Sequence, residues 1–314
     1  MIGSDLSKAA SLLSNGELVA IPTETVYGLA ANALNPEAVV EIYRVKNRPS
    51  FNPLILHIGD VSEVDKYASH IPELARTLMR VFWPGSLSIL LHKSENVPDL
   101  ITAGSPKVVL RMPNHSTTLK LLKRLDFPLA APSANISNTV SPTTAQHVED
   151  GIGKKIPYIL EGGTCNIGLE STIIEVQGDT IHILRDGGIT REQLSQYGKV
   201  IFTQATDKVQ SPGQLSKHYS TKKPLYIVDR IEKYLEENPK QKCSALLFQQ
   251  SEIQCTTYLL SSDYNLGEIA NILFAAMRQA DADENEIILI EKVREEGIGR
   301  AVADRLKRAS TTNL

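Results

Sequence analysis

Residues 18–33 read LVAIPTETVYGLAANA, and this stretch decides how the amino-terminal part of the chain folds. Its apolar beginning, residues 18–21, stops at Pro22 and is typical of a short buried strand. The polar segment 22–28 then places short polar side chains at the carboxyl end of that strand, and Gly28 permits close backbone approach. This pattern suits ligand capture at a sheet edge. It equally suits a turn whose hydroxyls bond to their own backbone.

Further short apolar runs follow, with helical patterns between several of them. The first helix begins after Asp5, and the second begins at Pro36 behind the cap residue Asn35. Strands this numerous with few helices predict an α/β domain built on one extensive, partly antiparallel sheet that ends near Phe202. The predicted strands cover residues 54–58, 87–91, 108–110, 129–131, 156–160, 172–176 and 181–184.

The composition changes after this domain. Residues 204–223, QATDKVQSPGQLSKHYSTKK, have no apolar periodicity and predict a linker between domains 1–203 and 224–314. Beyond it, three strand–helix pairs alternate, which predicts a smaller Rossmann-like three-layer α/β domain with a parallel sheet. No G-x-G-x-x-G follows its first strand, so dinucleotide binding has no support there.

The chain has 314 residues with 33 Lys+Arg and 36 Asp+Glu, a net charge of −3. It shows neither a secretory signal nor an apolar run long enough for a membrane span, and we expect a cytoplasmic protein. The 3 cysteines form no C-x-x-C pair, which argues against zinc and disulfide frameworks. The near-neutral charge argues against a strongly basic nucleic-acid-binding domain.

Cations and polar side chains stand at the ends of several predicted elements. Each has a plain structural reading as a helix-end or solvated residue. If the strand ends converge, however, the set provides what a highly charged nucleotide requires, because arginine offers a planar fork and lysine a mobile charge. No P-loop motif is present as an alternative cradle. The residues concerned are Lys46, Arg48, Arg111, Ser133, Asn135 and Arg185.

Two histidines and two acids complete the candidates. His57 lies inside a predicted strand, where a core histidine is the commoner explanation, whereas His218 lies in the linker and can close over a pocket as a lid. Glu161 and Glu170 lie beside glycines and are weak candidates for orienting cations or metal-bound water. No nucleophile–base–orienter triad and no G-x-S-x-G motif are recognisable.

In order along the chain, PTETVYGLAANA, KNRPSFNPLILHI, WPGSLSILL, TAGSPKVVLRMP, PLAAPSANISNTVSPTTAQHV, GLESTII and LRDGGIT resemble the YrdC-like domain of L-threonylcarbamoyladenylate synthases. SPGQLSKHY and the second domain are similar to the long, two-domain branch of this family. The resemblance implies a YrdC-like twisted, partly antiparallel open sheet with helices, followed by the smaller domain.

The resemblance also implies an activity. Family members condense L-threonine, bicarbonate or carbon dioxide, and ATP into threonylcarbamoyl-AMP and pyrophosphate by adenylyl transfer to N-carboxy-L-threonine, with Mg²⁺ accompanying ATP. The product serves downstream threonylcarbamoyl-transfer proteins that modify adenosine 37 of tRNAs reading ANN codons. Direct tRNA binding is expected to be weak or indirect.

Transferred by position, the family's residues fall into two pockets, and no protein metal site is implied. The catalytic group is Lys46, Arg48, Ser133 and Asn135. The threonine pocket is Thr23, Thr25, His57 and Ser171. The ATP pocket adds Arg111, Ser141 and Arg185 to the catalytic group, with His218 and Tyr219 closing from the linker. Asp186 replaces a proline common in the family, and an acid beside Arg185 is expected to weaken its hold on phosphate.

Two other readings remain open from the sequence. One is an RNA-binding or ribosome-maturation module gripping phosphates, although residues 1–203 carry 18 Lys+Arg against 20 Asp+Glu. The other is a transferase domain that uses carbamoyl phosphate, although the zinc-finger cysteines expected beside such a domain are missing. Salt-dependent RNA binding without ATP turnover favours the first, and consumption of carbamoyl phosphate favours the second.

Overall fold

The structure is a computed structural model that describes residues 1–203 and 218–311. Within these ranges the chain forms two sheets with helices packed around them. Up to Phe202 the strands are β1 (Ile2–Gly3), β2 (Val19–Ile21), β3 (Gly28–Asn32), β4 (Ile55–His57), β5 (Ala68–Ser69), β6 (Leu87–Lys93), β7 (Lys107–Arg111), β8 (Leu129–Ala130), β9 (Tyr158–Leu160), β10 (Thr172–Gln177), β11 (Thr180–Arg185) and β12 (Lys199–Phe202). The helices are α1 (Leu6–Ser14), α2 (Pro36–Lys46), α3 (Val64–Tyr67), α4 (Glu73–Phe82), α5 (Asp99–Thr102), α6 (Ser116–Leu122), α7 (Ala145–Ile152) and α8 (Arg191–Leu194), with 3₁₀ turns at Val61–Glu63 and Gly153–Lys155.

The first sheet is large and mixed. Over the described residues it has 12 strands in the order β1-β9-β2-β3-β8-β4-β7-β6-β10-β11-β12, with β5 added beside β6. Strand β2 pairs antiparallel with β3 and parallel with β9, and β10 pairs parallel with β6 and antiparallel with β11. The predicted extensive, partly antiparallel sheet is therefore confirmed.

Four strands of this sheet were not predicted, namely β1, β3, β5 and β12, and β3 is the one that lies inside the sheet beside the site. Residues 28–32 form β3, which pairs with β2 on one side and β8 on the other. Its sequence, GLAAN, contains small residues with little intrinsic preference for strands. Pairing on both edges and near-complete burial stabilise it instead, so the strand follows from its tertiary setting.

Helix α2 ends in a way that matters for the site. The Asn35 side chain caps its start by accepting from the backbone of Glu37 and Ala38, as predicted. At its end, Asn47 adopts the left-handed conformation with φ 51°. Asparagine tolerates this conformation better than most residues. The turn separates the directions of Lys46, the last helical residue, and Arg48.

The second sheet is parallel throughout, in the order β13-β16-β14-β15. Its strands are β13 (Leu225–Val228), β14 (Cys243–Leu247), β15 (Thr256–Leu259) and β16 (Ile287–Glu291), and its helices are α9 (Ile231–Glu237), α10 (Leu266–Ala282) and α11 (Gly299–Ala309). The Rossmann-like prediction is confirmed. The edge strand β15 was missed, because its mostly exposed residues carry no apolar pattern.

The two sheets are held together by a shared apolar cluster. Val26, Val140 and Leu169 of the first domain pack with buried residues of α10 and α11. At one point the backbones touch: a Cβ on Gly168 would lie 2.3 Å from the carbonyl oxygen of Asn271. Gly168 also has φ +76°, so both the space and the conformation require glycine there.

The helices in the described ranges include none that is both long and apolar enough to cross a membrane.

Candidate active site

One cavity collects side chains from many separate segments of the first domain, together with His218 and Tyr219. Glu170, Val26 and residues 131–133 form part of its wall. Most residues predicted for the two pockets also line it: Thr25, Arg48, His57, Arg111, Ser133, Ser171, Arg185, His218 and Tyr219.

Two of the cavity's arginines are fixed by backbone oxygens. Arg185 donates from Nε and Nη2 to the carbonyl of Ser171 at 3.0 and 2.8 Å, and from Nη2 to its hydroxyl at 3.1 Å. Arg48 donates from Nε to the carbonyl of Asn52 and from Nη2 to that of Pro53, at 3.1 and 2.8 Å. Burial lowers the pKa of both guanidinium groups to about 10. Both therefore remain cationic at neutral pH.

The third arginine forms a buried ion pair. Arg111 Nη2 lies 2.7 Å from Glu24 Oε1, and Arg111 Nε donates to the carbonyl of Gly85 at 3.2 Å. Glu24 was not among the predicted site residues. The sequence signal that could have identified Glu24 is its position between two candidate threonines in the PTETVYG loop. Because buried acids are almost always paired, its burial there accounts for the ion pair with Arg111.

Lys46 lies behind the cavity wall. Its ammonium donates to the carbonyls of Ser133 and Asn135 at 2.5 and 2.6 Å, and to Asn135 Oδ1 at 3.3 Å. Burial, assisted by the charge of Arg48, lowers the pKa of Lys46 well below its usual value. Asn135 is buried too, and its Nδ2 donates to the carbonyl of Thr139 at 2.7 Å. In this structure Lys46 therefore anchors the loop that presents Ser133.

The two threonines divide into a turn residue and a wall residue. Thr23 donates its hydroxyl to the carbonyl of Val26 at 2.6 Å and accepts from the Thr25 hydroxyl at 2.8 Å. The backbone nitrogens of Thr25 and Val26 also donate to Thr23 Oγ1. Thr23 thus maintains the hydroxyl-rich turn that the sequence left open, and Thr25 faces the cavity.

Glu170 connects several of these residues. Its Oε1 accepts from the Ser141 hydroxyl at 2.7 Å, and its Oε2 accepts from Arg305 Nε at 3.0 Å. Burial opposes its charge, but Arg305, Arg185 and the Ser141 hydroxyl outweigh burial and lower the pKa of Glu170 to about 2. The sequence supported Glu170 only weakly and missed Arg305. The other weak candidate, Glu161, accepts from the backbone of its own loop.

Both predicted histidines are neutral near pH 7. Burial, followed by the charge of Arg111, lowers the pKa of His57 to about 3. Burial also lowers the pKa of His218 to about 3, although Glu170 opposes that shift. Within the described part of the chain, neither Nδ1 atom has a hydrogen-bond partner.

His218 and Tyr219 are the site residues predicted from the linker, and both are buried against the cavity. Tyr219 has φ +62°, stacks on Phe274 with ring centroids 5.3 Å apart, and is followed by a hydrogen bond from Ser220 N to Asn138 O. Residues 204–217 of the predicted linker lie outside the described residues. Closure of the linker over the site therefore stays a prediction.

Asp186 is neutralised by a different arginine. Its carboxylate accepts from Arg191 Nε at 3.0 Å and Nη2 at 2.7 Å. The acid that was expected to weaken the hold of Arg185 on phosphate therefore has its own cation.

The acids of the site do not form a ready metal cage. In residues 1–203 and 218–311, no group of three or more histidine, cysteine or acidic side chains is placed to hold a metal ion. Glu170, which lines the cavity, and Glu24, which holds the lining residue Arg111, are each paired with an arginine.

Two family models cover most of the chain. The Sua5/YciO/YrdC model, described as telomere recombination, matches residues 11–187, and a model for the C-terminal domain of threonylcarbamoyl-AMP synthase matches residues 189–311. The threonylcarbamoyl-AMP synthase of Pyrococcus abyssi (strain GE5 / Orsay) is 39% identical over 319 residues, which cover 96% of this chain and 93% of that protein. The chain belongs to the threonylcarbamoyl-AMP synthase family.

Other members of the threonylcarbamoyl-AMP synthase family agree. The enzyme of that name from Bacillus subtilis (strain 168) is 38% identical, covering 97% of this chain and 92% of the relative. The crystal structure of P. abyssi Sua5 complexed with L-threonine superimposes with a TM-score of 0.91 at 38% identity, over 97% of this chain and 94% of that one. The two-domain architecture is thus shared along nearly the whole length.

Proposed function

We propose that this protein is a threonylcarbamoyl-AMP synthase, which forms L-threonylcarbamoyl-AMP and pyrophosphate from L-threonine, bicarbonate or carbon dioxide, and ATP. The observation that carries the proposal is the convergence of Arg48, Arg111 and Arg185, from three separate segments, on one cavity with Thr25 and Ser171. The family membership supports the same conclusion.

The proposed reaction needs charge control more than proton transfer. The amine of threonine adds to carbon dioxide and loses a proton, which gives an N-carboxylate. One oxygen of this carboxylate attacks the α-phosphorus of ATP, the bond to the bridging oxygen breaks, and pyrophosphate leaves. Because the nucleophile is already anionic, a strong general base is unnecessary, in keeping with neutral histidines whose pKa values are about 3.

Electrostatic repulsion is the main obstacle. Two like unit charges ~4 Å apart repel by about 4 kcal/mol at an effective dielectric constant of 20. The reaction brings two carboxylates against a triphosphate, so fixed cations at the site lower its barrier. Arg48 and Arg185 keep their charge near neutral pH, with pKa values of about 10, and are already held in place by backbone carbonyls.

Recognition of threonine is assigned to the hydroxyl-lined part of the cavity. The Ser171 hydroxyl lies 2.8 Å from Ser88 Oγ, and His57 presents an Nδ1 atom with no partner in the described residues. A site built to hydrogen-bond a substrate hydroxyl discriminates against analogues that lack it, because its buried polar groups then stay unpaired. We therefore expect serine to be a better competitor than valine.

Mg²⁺ forms part of the proposal as a companion of ATP. When bound, it neutralises phosphate charge, and Mg²⁺ commonly keeps several waters beside substrate phosphates. The arginine-paired state of Glu24 and Glu170 supports delivery on the nucleotide. The remaining proposals follow from the family: a cytoplasmic enzyme whose product is used by other proteins to modify adenosine 37 of tRNAs reading ANN codons.

The decisive experiment incubates the protein with ATP, Mg²⁺, L-threonine and ¹³C-labelled bicarbonate. Mass spectrometry then measures the labelled mixed anhydride, and a coupled assay measures pyrophosphate. We expect both products in equal amounts, and neither when threonine or bicarbonate is omitted. Consumption of carbamoyl phosphate in place of bicarbonate and ATP would instead favour the transferase reading, and salt-dependent RNA binding without turnover would favour the RNA-binding module.

A further inference from the structure

A charged residue of the second domain reaches the wall of the cavity. Arg305 lies on α11 and is 0% exposed. Its Nε donates to Glu170 Oε2 at 3.0 Å, its Nη1 donates to Asp304 Oδ2 at 2.9 Å, and its guanidinium lies 5.6 Å from the ring centroid of Tyr219. A fully buried arginine is rare and costly unless paired, so this pairing has to be accounted for.

The pairing fixes Glu170 from one side. The other carboxylate oxygen of Glu170 accepts from Ser141, and the next residue, Ser171, holds Arg185 through its carbonyl and hydroxyl. Both Ser141 and Arg185 are predicted ATP-pocket residues. A movement of Glu170 is therefore transmitted to a hydroxyl and to a cation of the proposed nucleotide site.

The same two loops are held by further contacts from the second domain. Val140 and Leu169, which directly precede Ser141 and Glu170, pack in the apolar cluster of α10 and α11. Arg278 of α10 also donates to the carbonyl of Val140, and to that of Ser141 at 3.4 Å. Along both loops, one residue faces the second domain and the next belongs to the site.

We propose that Arg305 is a positioning residue of the active site. It holds Glu170 so that Ser141 and Arg185 keep the orientation the nucleotide requires, and the second domain thereby completes the site of the first. The proposal rests on the proposed function, and it assigns to α11 a part in a reaction whose other groups come from the large sheet, its loops and residues 218–219.

The consequence of losing Arg305 follows from charge balance. A buried Glu170 without its cation either takes up a proton or turns toward Arg185, the other arginine that lowers its pKa. In the first case the neutral Glu170 is a weaker acceptor for the Ser141 hydroxyl, which loses its fixed orientation, and in the second Arg185 is withdrawn from phosphate. Both outcomes weaken ATP use without removing any group that touches the substrate.

The test uses the full-length protein and variants of one helix. Arg305→Met removes the cation, Arg305→Lys keeps it, and Arg305→Met combined with Glu170→Gln removes both members of the pair. Arg300→Met is the matched control, because Arg300 also lies on α11 and also pairs with an acid of the first domain, Glu192, at 2.6 Å, but at the surface. Pyrophosphate release gives kcat and KM for ATP and threonine, calorimetry gives the Kd for ATP, and circular dichroism confirms folding at the assay temperature.

We expect Arg305→Met to lower kcat/KM for ATP at least thirtyfold and to weaken ATP binding. Arg305→Lys and the double variant should each recover at least threefold of that loss, and Arg300→Met should stay within twofold of wild type.

Kinetic constants and ATP affinity within twofold of wild type in Arg305→Met would overturn the proposal. If that variant does not fold, Arg305→Lys and the double variant decide: wild-type kinetics in both overturn it, and a loss of more than fivefold in both supports it. A wild type that binds ATP and turns over leaves only the positioning role in question, whereas one that does neither overturns both proposals.

Discussion

Two clusters of buried or half-buried charge in this protein differ in how completely their polar groups pair with one another. In the second domain, Asp283 accepts from Lys223 Nζ at 2.6 Å, from Asn285 N at 2.8 Å and from the Tyr258 hydroxyl at 2.9 Å, and it also accepts from the Ser244 hydroxyl. Lys223 in turn donates to the carbonyls of Ala280 and Asp283. One anion, one cation and their neighbours satisfy one another.

The cavity cluster does not close in this way. Three arginines line it, whereas Glu170 is its only lining acid among the described residues. Two buried imidazole nitrogens of its lining, Nδ1 of His57 and Nδ1 of His218, have no hydrogen-bond partner among the described residues. Since native proteins rarely leave buried polar atoms unpaired, a cluster whose polar groups all pair with one another is typical of a structural role, and one with unpaired polar atoms is typical of a ligand site.

The largest expected effect belongs to Arg48. Arg48→Met removes a cavity cation, and we expect kcat/KM for pyrophosphate release to fall at least 100-fold, the usual scale for losing one preorganised charge or donor. Chemical denaturation should show a loss of unfolding free energy of about 1–3 kcal/mol, because the carbonyl of Pro53 loses its donor whereas that of Asn52 keeps the Tyr43 hydroxyl. Arg44→Met is the control, because Arg44 belongs to the same helix but has a side chain that is 70% exposed. A less than fivefold loss in Arg48→Met would remove this arginine from the site.

Lys46 combines features of both clusters, because its ammonium is paired with protein acceptors but lies beside the cavity. Lys46→Met leaves the carbonyls of Ser133 and Asn135 without their donor, and we expect it to lower the unfolding free energy by roughly 2–4 kcal/mol, at about 1–3 kcal/mol per unpaired group. Turnover should fall at least tenfold, because the Ser133 loop loses its anchor. Wild-type stability together with abolished turnover would instead show that this ammonium acts on the substrate.

For the cluster around Asp283 and Lys223 we expect the opposite result, a loss of stability without a loss of activity. Asp283→Asn should lower the unfolding free energy by about 1–2 kcal/mol at pH 7 and leave kcat/KM within twofold. Hydrogen bonds from Lys223 and its neighbours overcome burial and lower the pKa of Asp283, so its contribution is complete above the unfolded value near 4 and is lost as the pH falls. Urea titrations at pH 7 and pH 3 should therefore show a smaller difference from wild type at the lower pH.

Asp229→Asn is the matched control for that experiment. Asp229 also pairs with a lysine, Lys292, at 2.6 Å, but both side chains are largely exposed. Such a pair contributes between about 0 and 1 kcal/mol. An equal loss of stability in the two variants would contradict the distinction between the clusters.

The smallest expected effect concerns the histidines of the cavity. Folded His57 and His218 have pKa values of about 3, whereas unfolded histidine titrates near 6.5. The unfolded chain therefore binds more protons between these values, and each histidine lowers stability as the pH falls from about 6.5 toward 3. NMR titration, with resonances assigned from His57→Gln and His218→Gln, should show both rings neutral from pH 8 to pH 5. A midpoint near 6.5 would indicate that the cavity is open to water.

The sequence predicts the chemistry of the site better than its architecture. Arg48, Arg111 and Arg185 could be selected because, as a set at the ends of predicted elements, they provide what a highly charged nucleotide requires. Strand β3 could not, because its small residues gain their conformation from β2 and β8. The sequence does contain one sign of Arg305 that the prediction did not use. This arginine lies on the buried face of α11, where a charge requires a partner; the apolar residues of that face are Ala301, Val302, Leu306 and Ala309. Naming Glu170 as that partner needed the relative placement of the domains.

Gly168 has a practical consequence for anyone exchanging parts between relatives. The two domains are in close backbone contact here, because a Cβ on Gly168 would lie 2.3 Å from the carbonyl oxygen of Asn271. A single methyl group at this position would therefore push the domains apart. A transplanted second domain would meet a surface shaped for another helix, unless the loop carrying Gly168 and Glu170 travelled with it. Chimeras should therefore be joined within the loops of the first sheet. A junction in the linker would bring together two domain surfaces that come from different proteins and do not match.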